Sequence, residues 1–211
     1  MTDPAPPPTR WELTVVGKKW DWYVDRFERL HREGVDLDGE ARFVDMMAAR
    51  GSTILDGGCG PGRVSGALHR RGHRVVGVDR DAGLVAVARD RYPGPSYLVC
   101  DLLLVPAALA AAREPEAFDI VALPGNVMVY LAAGTERDVL RVVHGLLVPG
   151  GRLVTGFATD REYGVGDLDV DAAAVGLTVE HRFATWHLDP WRDDADWAVT
   201  VLRRPAEPVS D

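Results

Sequence analysis

Ile54-Leu55-Asp56-Gly57-Gly58-Cys59-Gly60-Pro61-Gly62-Arg63 is the stretch on which the reading of this chain turns. A short apolar run ends at an acid, a glycine-rich turn follows, and a helix is expected to open near Arg63. Glycine tolerates positive φ and lets a ligand approach the main chain, while a helix start presents N–H groups with no intrahelical partner. Together they describe a ligand loop at the end of a buried strand. The dinucleotide-binding pattern needs G-x-G-x-x-G/A. Counting from Gly58 the sixth position is Arg63, and from Gly60 it is Ser65. A nicotinamide-dependent oxidoreductase therefore loses its central support.

Outward from this loop, short apolar runs alternate with helical stretches from Ser52 onward, the pattern of β-α units around a parallel sheet. Strands are expected at Thr53–Asp56, Arg74–Asp79, Ser96–Cys100, Phe118–Leu123 and Gly151–Ala158, with helices between them. The clearest helix is Thr135–Leu147. Thr135 and Asp138 have capping-box spacing, Val139, Leu140, Val143, Leu146 and Leu147 make one apolar face, and Pro149-Gly150-Gly151 ends it. A short helix near Val170–Val175 is expected next, then strand-like Thr178–His187 and Ala195–Arg203. The turn-rich Asp189-Pro190-Trp191-Arg192-Asp193 between them suits an antiparallel pair at one sheet edge. Ahead of the first strand, Trp20, Tyr23, Val24, Phe27 and Leu30 share one helix face, and Asp36–Arg50 repeats the helical pattern with Phe43, Met46 and Met47 before Gly51.

Composition narrows the functional classes. Twenty-four Lys and Arg against 32 Asp and Glu leave a net charge of −8, which argues against holding nucleic acid by broad phosphate neutralisation. With 46% apolar residues, the 211-residue chain suits one domain with a full core. The longest uncharged apolar stretch, Leu102–Ala112, is interrupted by Pro106 and falls short of the ~20 residues a membrane helix needs, so no membrane span is expected. Thr2–Arg10 is polar and holds four prolines, which reads as a disordered tail over residues 1–9 and not as a secretory signal. Cys59 and Cys100 have no metal-ligand spacing, so neither a disulfide framework nor a metal site is expected, and the cytoplasm is the expected compartment.

Asp56, Gly58, Gly60 and Gly62 form D-x-G-x-G-x-G, which resembles the first motif of class I S-adenosylmethionine-dependent methyltransferases, where the loop curls around the methionine part of the cofactor. Asp79 ends the second strand; in that family an acid there accepts hydrogen bonds from both ribose hydroxyls, and two carboxylate oxygens suit a vicinal diol. An acid at this distance also occurs in nicotinamide folds, so Asp79 alone does not discriminate. The resemblance further implies that Asp101 meets the adenine amino group and that Leu102 packs on the ring. Phe118-Asp119-Ile120-Val121 resembles the family's F-D-x-V, and Leu147–Leu153 its L-x-P-G-G-x-L. The implied fold is α/β, a doubly wound, Rossmann-like, seven-stranded and mostly parallel sheet with an antiparallel C-terminal edge pair and helices on both faces. Residues 51–205 would then bind S-adenosylmethionine and its product S-adenosylhomocysteine, with 206–211 a tail. Gly57, Cys59, Arg80, Gly125 and Asn126 are expected beside the cofactor with the motif residues, Cys59 through its backbone.

No long insertion separates the fifth strand from Thr178, so any cover must come from residues 10–50, the expected helical lid. Tyr23 is expected to touch the cofactor and Arg42 to pair with its carboxylate; the same aromatic stripe also suits a face that simply covers the sheet. A compact pocket favours a small-molecule acceptor. The family's signature for adenine or amide nitrogens, Asn/Asp-Pro-Pro-Tyr/Phe after the fourth strand, is replaced by Leu123-Pro124-Gly125-Asn126. Direct displacement obliges no acid-base residue. Asn126, Tyr130 and His187 are the polar candidates near the strand ends, none with an assigned catalytic role. A sensor that binds the cofactor without turnover stays open.

Overall fold

Neighbouring residues of the central strands turn to opposite faces of one sheet, and both faces are covered. In β1 (Thr53–Gly57) Ile54 packs into one core cluster and Leu55 into another; Val75 and Val76 of β2 (Arg74–Asp79) and Ile120 and Val121 of β4 (Phe118–Leu123) divide the same way. Burial on both sides is why these strands are continuous apolar runs in the sequence. The computed structural model describes residues 5–206, apart from the side chains of Lys18, Val24, Glu28 and His31. With β3 (Ser96–Val99), β5 (Leu147–Ala158), β6 (Thr178–Phe183) and β7 (Trp197–Arg203), the sheet has the order β3-β2-β1-β4-β5-β7-β6. The strands β1 to β5 pair in parallel, and β7 runs antiparallel between β5 and β6. This is the mostly parallel, doubly wound sheet with an antiparallel C-terminal edge that the sequence predicts.

One face is covered by α3 (Gly39–Met47) and α4 (Arg63–Arg70), which bury Phe43, Val44, Val64 and Leu68. The other carries α6 (Val105–Ala112), α8 (Glu136–Leu146) and α9 (Val165–Ala174), through Leu109, Leu140, Val143 and Leu168. Each large apolar side chain removed from water contributes ~1.5–3 kcal/mol, so these two layers hold the fold. By contrast, α2 (Lys18–Arg32) is mostly polar and keeps Tyr23 and Phe27 only half-buried. It lies with α1 (Arg10–Thr14) over the C-terminal ends of the strands, near α5 (Ala82–Arg91) and the short α7 (Val127–Tyr130).

Several local expectations change. The cover expected over residues 10–50 divides, because α3 belongs to the sheet core while α1 and α2 do not. The capping box at Thr135 does not form: its Oγ1 donates to Ala132 O at 2.7 Å, closing the preceding turn, and Asp138 pairs with Arg141. The fifth strand starts at Leu147, since Pro149-Gly150-Gly151 is taken up as a register shift and not as a stop. The strand β6 ends at Phe183 because Thr185–Asp189 closes a turn, with Thr185 Oγ1 donating to Asp189 Oδ2 at 2.6 Å. Of the expected tail at 1–9, residues 1–4 lie outside the described residues. Residues 5–9 are tied down: Arg80 donates to Pro7 O at 2.7 Å, and Thr9 caps α1 with Glu12. Residues 207–211 of the expected C-terminal tail also lie outside the described residues.

Candidate active site

The sheet order turns back between β1 and β4, so the loops leaving their C-terminal ends diverge and open a crevice. A cavity of about 770 Å³ fills it, floored by the Asp56–Pro61 loop and roofed by α1 and α2. The glycines of the loop have different duties. A Cβ at Gly62, with φ +84°, would lie 2.7 Å from Ala88 Cβ, and one at Gly57 would lie 2.5 Å from Leu123 Cδ2; neither residue lines the cavity. These two glycines permit packing of the loop on α5 and β4, which the ligand-loop reading did not separate from ligand contact. Gly60 differs: at φ +52° its Cβ position meets only Tyr23 Oη, at 3.5 Å, and the residue lines the cavity. Gly58 and Cys59 line it too. Burial pushes the Cys59 thiol well above its ordinary range, which leaves it neutral and unreactive.

Three acids stand at the strand ends. Asp56 is fully buried; one oxygen accepts from Ser65 Oγ at 2.5 Å, and Oδ1 has no hydrogen-bond partner among the described residues. Burial raises its pKa from 3.8 to about 6. Asp79 accepts from the backbone N–H of Gly60 at 2.8 Å and of Asp81 at 2.9 Å, so it ties the glycine loop to the end of β2 while keeping lone pairs on both oxygens. Asp101 caps the turn after β3 through Leu103 N–H at 2.9 Å and accepts from Arg80 at 2.9 Å. All three line the cavity, with Arg80, Leu102, Gly125, Asn126 and Tyr130.

The roof is an aromatic chain. Tyr23 meets Trp11 edge-on at 4.8 Å and Phe27 at 5.2 Å, and Trp11 meets Tyr130 at 5.4 Å. Burial, reinforced by the Asp79 charge, pushes the Tyr23 hydroxyl up to about 12, so it remains a donor at physiological pH. Trp20 Nε1 donates to Asp81 Oδ2 at 2.7 Å and pins α2 to the cap of α5. Arg10 pins α1 through an ion pair with buried Glu136 at 2.7 Å. Arg80 joins both parts of the site, at 3.0 Å from Glu12 of α1.

Besides Gly57 and Gly62, two more expected site residues, Arg42 and His187, stay outside the cavity. Arg42 is exposed and paired with Asp36, turned away because α3 packs its apolar face on the sheet. The arginines that line the cavity are Arg26, Arg63 and Arg80; Arg80 is held by Asp101 and Glu12, Arg63 pairs with Glu40 at 2.6 Å, and Arg26 lies over Trp22 and Phe27. His187 is exposed in the turn after β6 and does not line the cavity. Asn126 does reach the cavity, but its Oδ1 accepts from Ala158 N–H at 2.9 Å, so it braces β4 against β5. Sequence reasoning missed Trp11 and Glu12, although the Thr9-x-x-Glu12 spacing signals the helix that places them. It also missed Arg26, Arg63 and Trp197, for which the local sequence carries no comparable signal.

Comparison with known proteins agrees with this geometry. A family model described as a methyltransferase domain matches residues 54–151. A crystal structure of a TehB-like SAM-dependent methyltransferase from Corynebacterium glutamicum is 36% identical, with a TM-score of 0.81 over 87% of this chain and 97% of that one. A malonyl-(acyl-carrier protein) O-methyltransferase from Salmonella typhimurium is 33% identical over 51% of this chain and 39% of its own length. A ubiquinone biosynthesis O-methyltransferase from Pseudomonas paraeruginosa is 33% identical over 67% of this chain and 59% of its own. The chain thus spans 39% and 59% of these two curated relatives, less than two thirds of either.

Proposed function

Because the chain belongs to the class I S-adenosylmethionine-dependent methyltransferases, we propose that it transfers the methyl group of S-adenosylmethionine to an oxygen of a small-molecule acceptor. The observation that carries this reading is Asp56: a fully buried carboxylate at the cavity floor with one oxygen unpartnered among the described residues. A buried acceptor of this kind calls for a donor, and a cationic one best; the cofactor's ammonium is such a group. Both curated relatives are O-methyltransferases, which supports oxygen as the acceptor atom.

S-adenosylmethionine supplies a methyl group activated by a positively charged sulfur. The chain's own residues hold and orient. Asp56 would take the ammonium, Arg26 the carboxylate in place of Arg42, Asp79 the ribose hydroxyls with its free lone pairs, and Asp101 with Leu102 the adenine. The open backbone at Gly60 admits the ligand beneath Tyr23. Residues 10–32 act as a lid, since their aromatic chain excludes water from the cavity. Holding the acceptor in line contributes ~7–11 kcal/mol through prepaid orientation, with no acid or base required of the protein. The chain's net charge of −8 disfavours a nucleic-acid acceptor. Cys59 and Cys100 are free thiols, which suits the cytoplasm. Among the described residues no helix is long and apolar enough to cross a membrane.

Titration calorimetry with S-adenosylmethionine, S-adenosylhomocysteine and NAD tests the first half of this reading, and transfer of tritiated methyl groups into a metabolite extract tests the second. Binding of the first two ligands and label in small molecules is expected. Binding of NAD alone would overturn the family chemistry, and binding without transfer would make the protein a sensor.

A further inference from the structure

The cavity extends beyond the end of β4 to the start of β7, where Trp197 lines its wall. Trp197 pairs with Ala158, the last residue of β5. Because β7 runs antiparallel, its first residue shares the sheet edge at which the parallel strands end. In the strand order, β4 and β5 separate β1 from β7, whereas Asp79 and Asp101 follow β2 and β3 on the opposite side. At ~4.8 Å per strand, Trp197 stands about 14 Å across the sheet from β1. The cofactor reading places its ligand over β1, β2 and β3, so Trp197 belongs to the half of the cavity left for the acceptor.

Trp197 Nε1 is buried and has no hydrogen-bond partner among the described residues. An indole N–H can only donate, and burying it without an acceptor is destabilising. Packing alone does not need it, since the ring's contacts with the second core cluster would be met by a phenyl group. Asp36 and Glu40, which line the same cavity, pair with Arg42 and Arg63 and make no hydrogen bond to Nε1. Resting on the methyl-transfer reading, we infer that Trp197 Nε1–H donates to an oxygen of the acceptor and thereby selects and orients it. That oxygen is not the one methylated, because a donated hydrogen bond withdraws electron density from a nucleophile. The acceptor class is a small molecule with a second oxygen beside the reactive one, as in a carboxylate. Trp197 is thus a positioning residue.

The test uses the full chain, ¹⁵N-labelled and saturated with S-adenosylhomocysteine, whose uptake is first verified by calorimetry. The Trp197 indole signal is assigned by its loss in Trp197→Phe. Benzoate should move that signal downfield and benzene should not. Trp197→Phe should bind benzoate about tenfold more weakly, with unchanged affinity for S-adenosylhomocysteine. An unmoved signal, an equal shift with benzene, or unchanged benzoate affinity in the variant would overturn the inference. An indole proton already at a hydrogen-bonded position before benzoate is added would also overturn it, by revealing a resident water. Failure to take up S-adenosylhomocysteine would instead strike the methyl-transfer reading on which the inference rests.

Discussion

Replacing Asp56 by Asn should stabilise the cofactor-free protein at neutral pH while removing most of its affinity for S-adenosylmethionine. Burial is the main cause that raises the Asp56 pKa from 3.8 to about 6. At ~1.36 kcal/mol per pKa unit this rise corresponds to ~3 kcal/mol. Below pH 3.8 the carboxyl is protonated in both folded and unfolded chains, and the penalty is absent. Between 3.8 and about 6 the unfolded chain ionises while the folded chain keeps its proton, so this group's contribution falls as pH rises. Above that window the whole ~3 kcal/mol is lost. Asparagine keeps the shape and can accept from Ser65 Oγ, but it does not titrate. Urea unfolding at intervals from acid to neutral pH should therefore show the two proteins converging in acid and the variant ahead at neutrality. A hundredfold excess of S-adenosylmethionine over Kd should add ~2.7 kcal/mol to the wild type and almost nothing to the variant. Parallel stability curves would refute the buried-charge argument. Equal stabilisation by the cofactor would show that Oδ1 does not meet its ammonium.

The loop and the roof yield three more expectations. Gly60→Ala should cost ~1–2 kcal/mol of stability from its positive φ and weaken cofactor binding at least about tenfold in calorimetry. Gly62→Ala, which forces a Cβ to 2.7 Å from Ala88, should cost ~2–4 kcal/mol yet leave Kd unchanged in the folded protein; the reverse ranking would mean the glycines are assigned wrongly. Asp79→Ala frees the Gly60 and Asp81 N–H groups and removes the expected ribose acceptor, so binding should weaken by ~2–4 kcal/mol, and an unaltered Kd would take this acid out of the site. Tyr23→Ala removes the centre of the aromatic chain; weaker cofactor binding with a small change in Tm is expected of a lid, whereas a large fall in Tm with intact affinity would assign α2 to the core.

The β-α order from Thr53 to Ala158, the glycine loop and the acids at Asp56, Asp79 and Asp101 were legible in the sequence because they are local properties. Alternating burial, a strand end and a tight turn each impose residue types within a few positions of one another. The Thr9 and Glu12 pair that starts α1 was equally local. The duties of those residues were decided only by the tertiary structure. Gly60 faces the cavity and Gly62 faces Ala88, although both stand in one motif, because α5 packs against one side of the loop and the cavity opens on the other. Arg42 and Arg63 are indistinguishable as charges in the sequence. Packing of α3 sends Arg42 to Asp36 in solvent, while α4 starts at the cavity with Arg63. Trp197 reaches the acceptor side only because β7 inserts antiparallel beside β5, bringing a residue distant in the chain to the edge where β1 ends. Pairings of that range depend on how whole elements stack, and no short window of sequence contains them.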